Sequence, residues 1–582
     1  MFANYPLPIT HYPTPNPKSI YKFSQQKRQR LRLNVGETFI YSLAFVSRDR
    51  NAARSLAGIA GIVAIATLIS KVFGLVRQQA IAAAFGVGVV VDAYTYAYIV
   101  PGFLLVLLGG INGPFHSAIV SVLAKRDRSQ SAPIVETITT LIGGILLVVT
   151  VGLILLAGPI IDLVAPGLGA TETGPQIRAI AIQQLQIMAP MALLAGWIGI
   201  GFGTLNAADM YWLPSISPLL SSTALIGGLG VLAWQLGEKV TQPEYAVLGG
   251  MVLAWGTLIG AGLQWLVQSV AQWRSGLGTL RLRFDFHRPE VKEVLNVMGP
   301  ATFSSGMMQI NVYTDLWFAS FIPQAASALG YAGLLVQTPL GILSSAILVP
   351  MMPVFSRLAD PQNWAELKQR IRQGLMLTAL TMLPLGALMM ALAKPIVRVV
   401  YERYAFDLEA SRFVAEILVA YGLGMFVYLA RDVLVRVFYA LGDGTTPFRI
   451  SIINIFLNAL FDAIFINAFG AAGLIISTVG VNLISTVALY VLLDRKINGL
   501  PFWEWVEPIA LLTLISFISG VFARLIFWST QNVLGTEGFL ILLLELCAGG
   551  FAGLGLFALL AMRLPLPEVG ILVDRIRQKL VK

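Results

Sequence analysis

Several charged and amide side chains fall inside or beside long apolar runs, where charge is costly and chemistry is to be sought first. Lys71, Arg77 and Asp92 lie around the junction of the first two runs. Cations there would hold an anionic group such as a phosphate, arginine through two planar hydrogen bonds and lysine as a point charge. Asp92 is near enough in sequence to pair with Arg77. The competing reading is that both cations reach out to lipid head groups. A second set is Asn311 with Asp315, Asn458 with Asp462, and Leu474 with Thr478. Each pair is spaced by four, which puts it on one helix face. Two carboxylates and an amide in hydrocarbon need a cation or protons. Oxygen-only ligands suit a hard ion, and sodium is the natural choice. Its ligands would be Asp315, Asn458, Asp462, Thr478 and the backbone carbonyl of Leu474. Buried polar packing and a protonated aspartate in a proton-coupled carrier are the alternatives. Arg431 and Asp432 would bond to neighbours, and Arg524 would pair with Glu545.

Composition says what must position these groups. Forty Lys and Arg against thirty Asp and Glu give +10 over 582 residues. Charged residues make up 12% and hydrophobic residues 57%, with 55 glycines and a mean hydropathy of +0.76. A soluble domain carries about a quarter charged residues and cannot hide this much apolar surface. A soluble enzyme, a disordered chain and a disulfide-stapled domain are excluded. One cysteine, Cys547, makes neither an internal disulfide nor a thiolate cage. Three scattered histidines carry no metalloprotease spacing, and there is no phosphate-binding or nucleophile-elbow loop. Nothing asks for catalysis. The positive charge belongs to topology rather than to nucleic acid.

Apolar runs cover 57–76, 89–110, 134–157, 180–203, 214–235, 247–268, 294–318, 328–353, 371–392, 413–435, 450–468, 472–493, 506–528 and 539–562. The expectation is an all-α polytopic membrane protein of about 14 transmembrane helices. On this count Lys71 and Arg77 end the first helix on its outer side. Thirty Lys and Arg fall on one side and seven on the other, which places both termini in the cytoplasm. Residues 1–54, with prolines and basic clusters, read as a mobile cytoplasmic extension touching anionic lipid.

A repeat is visible. SAIVSVLAKRD (Ser117–Asp127) matches SAILVPMMPVFSRLAD (Ser345–Asp360), and GTLNAADMYWLP matches YALGDGTTP, both roughly 230 residues apart. Two six-helix lobes in parallel repeat, 55–270 and 271–495, would face each other across a substrate site. Helices thirteen and fourteen, with a basic tail, occupy 496–582 outside the repeat.

The segment SKVFGLVRQQAIAAAFGVGVVVDAYTYAYIVP (Ser70–Pro101) resembles the opening of the MurJ/MviN family, the lipid II flippases of bacterial peptidoglycan synthesis. NVMGPATF (Asn296–Phe303), LVPMMPVFSRLA (Leu348–Ala359) and YALGDGTTPFRISI (Tyr439–Ile452) are similar to later family signatures. The resemblance implies the multidrug/oligosaccharidyl-lipid/polysaccharide exporter fold, fourteen helices and alternating access. It implies that Ser70, Lys71, Arg77 and Asp92 face the substrate cavity, and that helices thirteen and fourteen form a groove for a lipid tail. It also implies a cation site, and the Asn458-x3-Asp462 pair followed by Thr478 fits it. Two family arginines are missing. The stretch GFLLVLLGG (Gly102–Gly110) has no charge, and Tyr331-Ala332-Gly333-Leu334-Leu335 carries no arginine. His116 and Gln337 are the polar substitutes.

The expected function is a flippase moving an undecaprenyl-pyrophosphate-linked, lipid II-like cell-wall precursor across the bacterial inner membrane, cation-coupled and breaking no covalent bond. Partners would be the lipid-linked substrate, membrane lipids and cell-wall synthesis enzymes. The alternatives are an exporter of another polyprenyl-linked sugar or amphipath, and a non-transporting scaffold for cell-wall enzymes.

Overall fold

In a computed structural model, residues 65–570 are described apart from 111–112, 124–125, 127, 279 and 536–537. The chain forms two compact units, Met1–Ala66 and Thr67–Lys582, and the second holds the helix bundle. The basic extension 1–54 and residues 571–582 lie outside the described residues.

Hydrocarbon leaves backbone N–H and C=O groups no partner but each other, so apolar runs become helices. The helices are α1 (67–85, within the helical stretch 65–85), α2 (Val89–Gly109), α3 (Pro114–Leu123), α4 (Arg128–Leu155), α5 (Ala157–Val164), α6 (Gly174–Met188), α7 (Met191–Ala207), α8 (Trp212–Ile216) and α9 (Pro218–Leu236). They continue with α10 (Ala246–Arg274), α11 (Pro289–Ala319), α12 (Ala325–Arg357), α13 (Trp364–Ala391), α14 (Ala393–Tyr401), α15 (Leu408–Ala440), α16 (Thr445–Lys496), α17 (Phe502–Leu534) and α18 (Phe539–Ala561). Among the described residues there is no strand.

Ten of the described helical segments are long and apolar enough to cross a membrane, or eleven if the bent pair α6 and α7 is one span. That pair bends by 42° next to Pro190, which has no N–H to give the helix. The sequence count of fourteen is larger by three. Runs 450–468 and 472–493 lie in the single 52-residue α16. Run 57–76 falls partly outside the described residues. Run 294–318 lies in α11, and its sequence holds Asn296, Gln309, Asn311 and Asp315, which lower its hydropathy.

Inside α16 the backbone breaks at Gly470, with φ 57° and ψ −137°. Left-handed φ costs a Cβ-bearing residue about 1–2 kcal/mol, so glycine marks the kink. The kink is what brings the two arms of α16 side by side.

The helices pack in two groups. In the first, α7 meets α2, α3, α4 and α10, while α9 lies against α10. In the second, α15 meets α12, α13 and α16, while α11 lies against α16. The hairpin α17–α18 attaches to the second group through α13.

The YALGDGTTP turn is structural. Asp443 accepts from the backbone N–H and hydroxyl of Thr446, the hydroxyl of Thr445 and the ammonium of Lys496 at 2.7 Å. Burial alone would raise this carboxyl. The donors, Lys496 foremost, outweigh it and hold it well below the usual carboxylate range. One side chain thus fixes the start of α16 to its far end.

Candidate functional site

The sequence placed Lys71 and Arg77 at the outer end of the first helix. The structure corrects this. The helix runs on to residue 85, because Arg77, Gln78 and Gln79 end the apolar run without ending the helix. It stops before Gly86, at φ 60°. Both cations therefore lie mid-helix. Lys71 reaches across to the second group, where a Cβ on Gly341 would stand 3.2 Å from its Nζ. Ser70 donates to the carbonyl of Ser215 at 3.2 Å, which fixes α1 against α8. Arg77 is half-buried near Tyr94 and Tyr98, and its Nε is buried with no partner.

The pairing of Asp92 with Arg77 is also corrected. Asp92 is buried, and its two oxygens accept the backbone N–H groups of Ser327 at 2.9 Å and Gln324 at 3.1 Å. Those N–H groups belong to the start of α12, which α12 itself cannot satisfy. A carboxylate suits that end of a helix dipole. No ion pair joins Asp92 to Arg77 among the described residues. No sequence rule predicts a cap supplied from 232 residues away.

Asp92 is part of a seam between the two helix groups. Gln79 donates to Val400 O at 3.1 Å, and Ala405 N–H to Ala83 O at 3.1 Å. Gly167 N–H donates to Ser320 Oγ at 2.9 Å. Tyr331 donates to Gly86 O at 3.0 Å within an aromatic triad with Tyr401 and Phe406. Gly86 is required here twice over: its φ is positive, and a Cβ would stand 2.3 Å from Ala405 O. Gly86→Ala should therefore open the seam. Strain and overpacking together cost about 2–4 kcal/mol, a population shift of roughly 30- to 1000-fold. Spin labels at Val87 and Tyr404 should move apart in the variant, and an unchanged distance distribution would refute this. Elsewhere the groups also touch through α11 and α3, with Arg126 and Glu293 2.9 Å apart.

The acidic cluster forms as expected from spacing. The Asn458 amide nitrogen donates to Asp315 at 2.6 Å and to Asp462 at 2.8 Å. Thr478 donates toward Asp315, at 3.0 and 3.2 Å from its two oxygens, and lies 3.2 Å from Asn458 Oδ1. Asp462 Oδ1 is buried with no partner. Leu474 is fully buried in the same helix, but no contact to the cluster places its carbonyl there. Ser477, which spacing alone does not single out, donates to Asn458 O at 3.3 Å; its place next to Thr478 is the only signal in the sequence. The Asn311 side chain lies outside the described ones. Two carboxylates share one amide nitrogen here, with no Lys, Arg or His in ion-pair contact among the described residues. Like charges in low dielectric require a proton or a cation between them. The orphaned Asp462 oxygen fits a hard cation, and the Asn458 amide would turn its oxygen toward the carboxylates to complete an all-oxygen set. Among the described residues no three His, Cys, Asp or Glu gather to hold a metal.

The other candidates lie apart. His116 Nε2 is 2.8 Å from Asn206 Nδ2, between α3 and α7. Gln337 is exposed on α12, one turn from Gly333, and the Tyr421 hydroxyl would stand 3.3 Å from a Cβ there. Arg431 bonds to Ser485 and Ser451, as expected. Arg524 does not pair with Glu545. It donates to Ala391 O at 3.2 Å, while both Glu545 oxygens are buried without partners. Arg524 thus turns to the end of α13 rather than to α18.

The family model described as lipid II flippase MurJ matches residues 81–544. A Synechocystis protein named probable lipid II flippase MurJ is 58% identical over 92% of this chain and 99% of its own length. The chain belongs to the MurJ family. A Burkholderia cenocepacia protein named lipid II flippase MurJ is 30% identical over 71% of this chain and 78% of its own. A solved MurJ structure described as inward closed superposes with a TM-score of 0.68 at 22% identity, over 85% of this chain and 98% of that one. A multidrug resistance MATE family transporter, described as belonging to the MOP superfamily and inward-facing, superposes with a TM-score of 0.56 at 17% identity over 75% of this chain and 98% of that one. These two establish the fold: an all-helical, multi-span membrane architecture that the MurJ family shares with multidrug exporters.

Proposed function

We propose that this chain carries a lipid II-type precursor across the inner membrane by alternating access, without making or breaking a covalent bond. The observation that carries the reading is the 58% match to a named probable lipid II flippase over 99% of that protein's length. The geometry supports it. Lys71 and Arg77 stand mid-helix between the two groups, where a pyrophosphate would need them. The cell should accumulate lipid II on the cytoplasmic face when the protein is depleted. Growth arrest without that accumulation would overturn the reading.

The seam of Gly86, Asp92, Ser327 and Ala405 would be the outer gate. The proposed topology is fourteen spans with both termini cytoplasmic. A reporter fused after Lys582 should read as cytoplasmic, and a periplasmic reading would refute it. Asp315, Asn458, Asp462 and Thr478 would hold sodium, which would supply the positive charge the two carboxylates lack. Ion binding there would favour one arrangement of α11 and both arms of α16.

One observation favours a second reading, an exporter of another polyprenyl-linked sugar. The Tyr331–Leu335 stretch carries no cation, and the Tyr421 hydroxyl would stand 3.3 Å from a Cβ on Gly333. In vesicles, a monophosphate-linked analogue moved faster than the pyrophosphate-linked one would decide for it. Contacts with cell-wall synthesis enzymes belong to the same proposal.

A further inference from the structure

A cavity of about 630 Å³ opens between α13, the start of α14, α15 and α17. Lys394, Arg412 and Arg524 line it with a single carboxylate, Glu416. None of the four makes an ion pair among the described residues. The remaining wall is apolar. Val419, Phe517, Val521 and Leu525 are 37%, 64%, 45% and 53% exposed, so the cavity is open to what surrounds the bundle.

Arg524 is the odd residue. It sits ten positions before the end of α17, roughly 15 Å along the helix. It faces outward in a membrane-spanning helix, where charge is costly. Its one hydrogen bond, to Ala391 O, occupies a single donor of the five that a guanidinium offers. Lys394, on the first turn of α14, and Arg412, on the second turn of α15, converge on the same space. Three cations against one carboxylate leave an excess of two positive charges beside an apolar slot. That combination matches a molecule with an anionic head and an acyl chain.

We propose that this cavity binds an anionic phospholipid from the surrounding bilayer. Its phosphodiester sits among Lys394, Arg412 and Arg524, and an acyl chain lies along Phe517, Val521 and Leu525. The site is separate from the Lys71–Arg77 region, which is on α1, and it takes a bilayer lipid rather than the transported molecule. Charge-assisted contacts from arginine to phosphate oxygens supply the selectivity. The apolar wall alone would accept a zwitterionic lipid equally well.

The test is titration of the full-length protein in neutral detergent micelles with phosphatidylglycerol or phosphatidylcholine, with bound lipid counted by native mass spectrometry. Wild type should prefer phosphatidylglycerol by at least about tenfold, since each cation near an anionic head group is worth about fivefold in affinity. Lys394→Gln/Arg412→Gln/Arg524→Gln should erase the preference. Glu416→Gln removes the opposing charge and should tighten phosphatidylglycerol by about fivefold. That gain cannot come from misfolding. Equal binding of the two lipids by wild type, or no change in Glu416→Gln, would overturn the proposal. So would displacement of phosphatidylglycerol by inorganic phosphate at equal concentration, which would mean an anion site with no use for the chain. No transported substrate is present in the assay, so its outcome is independent of what the protein carries.

Discussion

Arg77→Ala should lower transport by about 100-fold and fail to support growth in a strain that depends on this protein. The position of the side chain sets the size of the effect. Arg77 lies mid-helix, half-buried, with its Nε buried and unpartnered and with no ion pair among the described residues. A guanidinium does not lose its proton, so the charge must be met by something else. A phosphate on the cargo would meet it, and hydrogen bonds between charged partners are worth about 1.5–3 kcal/mol each. Losing one or two of them gives the expected hundredfold. Arg77→Lys keeps the charge but loses the planar fork, and should retain part of the activity. Lys71→Ala should cost less, about tenfold, because one ammonium makes one point contact. Wild-type growth of Arg77→Ala would remove the basis for placing a pyrophosphate here.

Sodium should raise the thermal midpoint of the purified protein, and potassium should not. At a hundredfold excess over its dissociation constant, a ligand that binds only the folded state adds about 2.7 kcal/mol. The effect should vanish in Asp462→Asn, which removes one of the two carboxylates held by Asn458 at 2.6 and 2.8 Å. It should survive in Arg77→Ala, since α1 is not part of the cluster. A sodium-independent midpoint that rises on acidification would show that a proton balances the two carboxylates instead. Equal effects of sodium and potassium would show that the cluster is not selective.

The two sites differ in how legible they are in the sequence. The acidic cluster is readable there in part, because spacing of four sets a helix face and the second repeat puts residues 294–318 and 450–493 in one lobe. Asp315, Asn458, Asp462 and Thr478 meet within that lobe. Arg77 is not placed by the same logic. Hydropathy marks where a run stops being apolar, and a helix lining a polar interior stops being apolar before it ends.

The sequence alone determined the solvent of this protein, its helical class, the sign bias of its loops and the family it resembles. The first three follow from composition and local periodicity, which need no knowledge of distant neighbours, and the resemblance rests on motifs such as Ser70–Pro101. Only the tertiary structure decided that Asp92 caps α12 rather than pairing with Arg77. It alone showed that Glu545 stands unpartnered while Arg524 turns to Ala391, and that Gly86 must be small because Ala405 lies against it. Each of these depends on a group more than a hundred residues away along the chain, or on which side of one helix a side chain leaves. Helical spacing constrains neighbours three and four positions apart, and nothing in it specifies which distant helix end will arrive beside them.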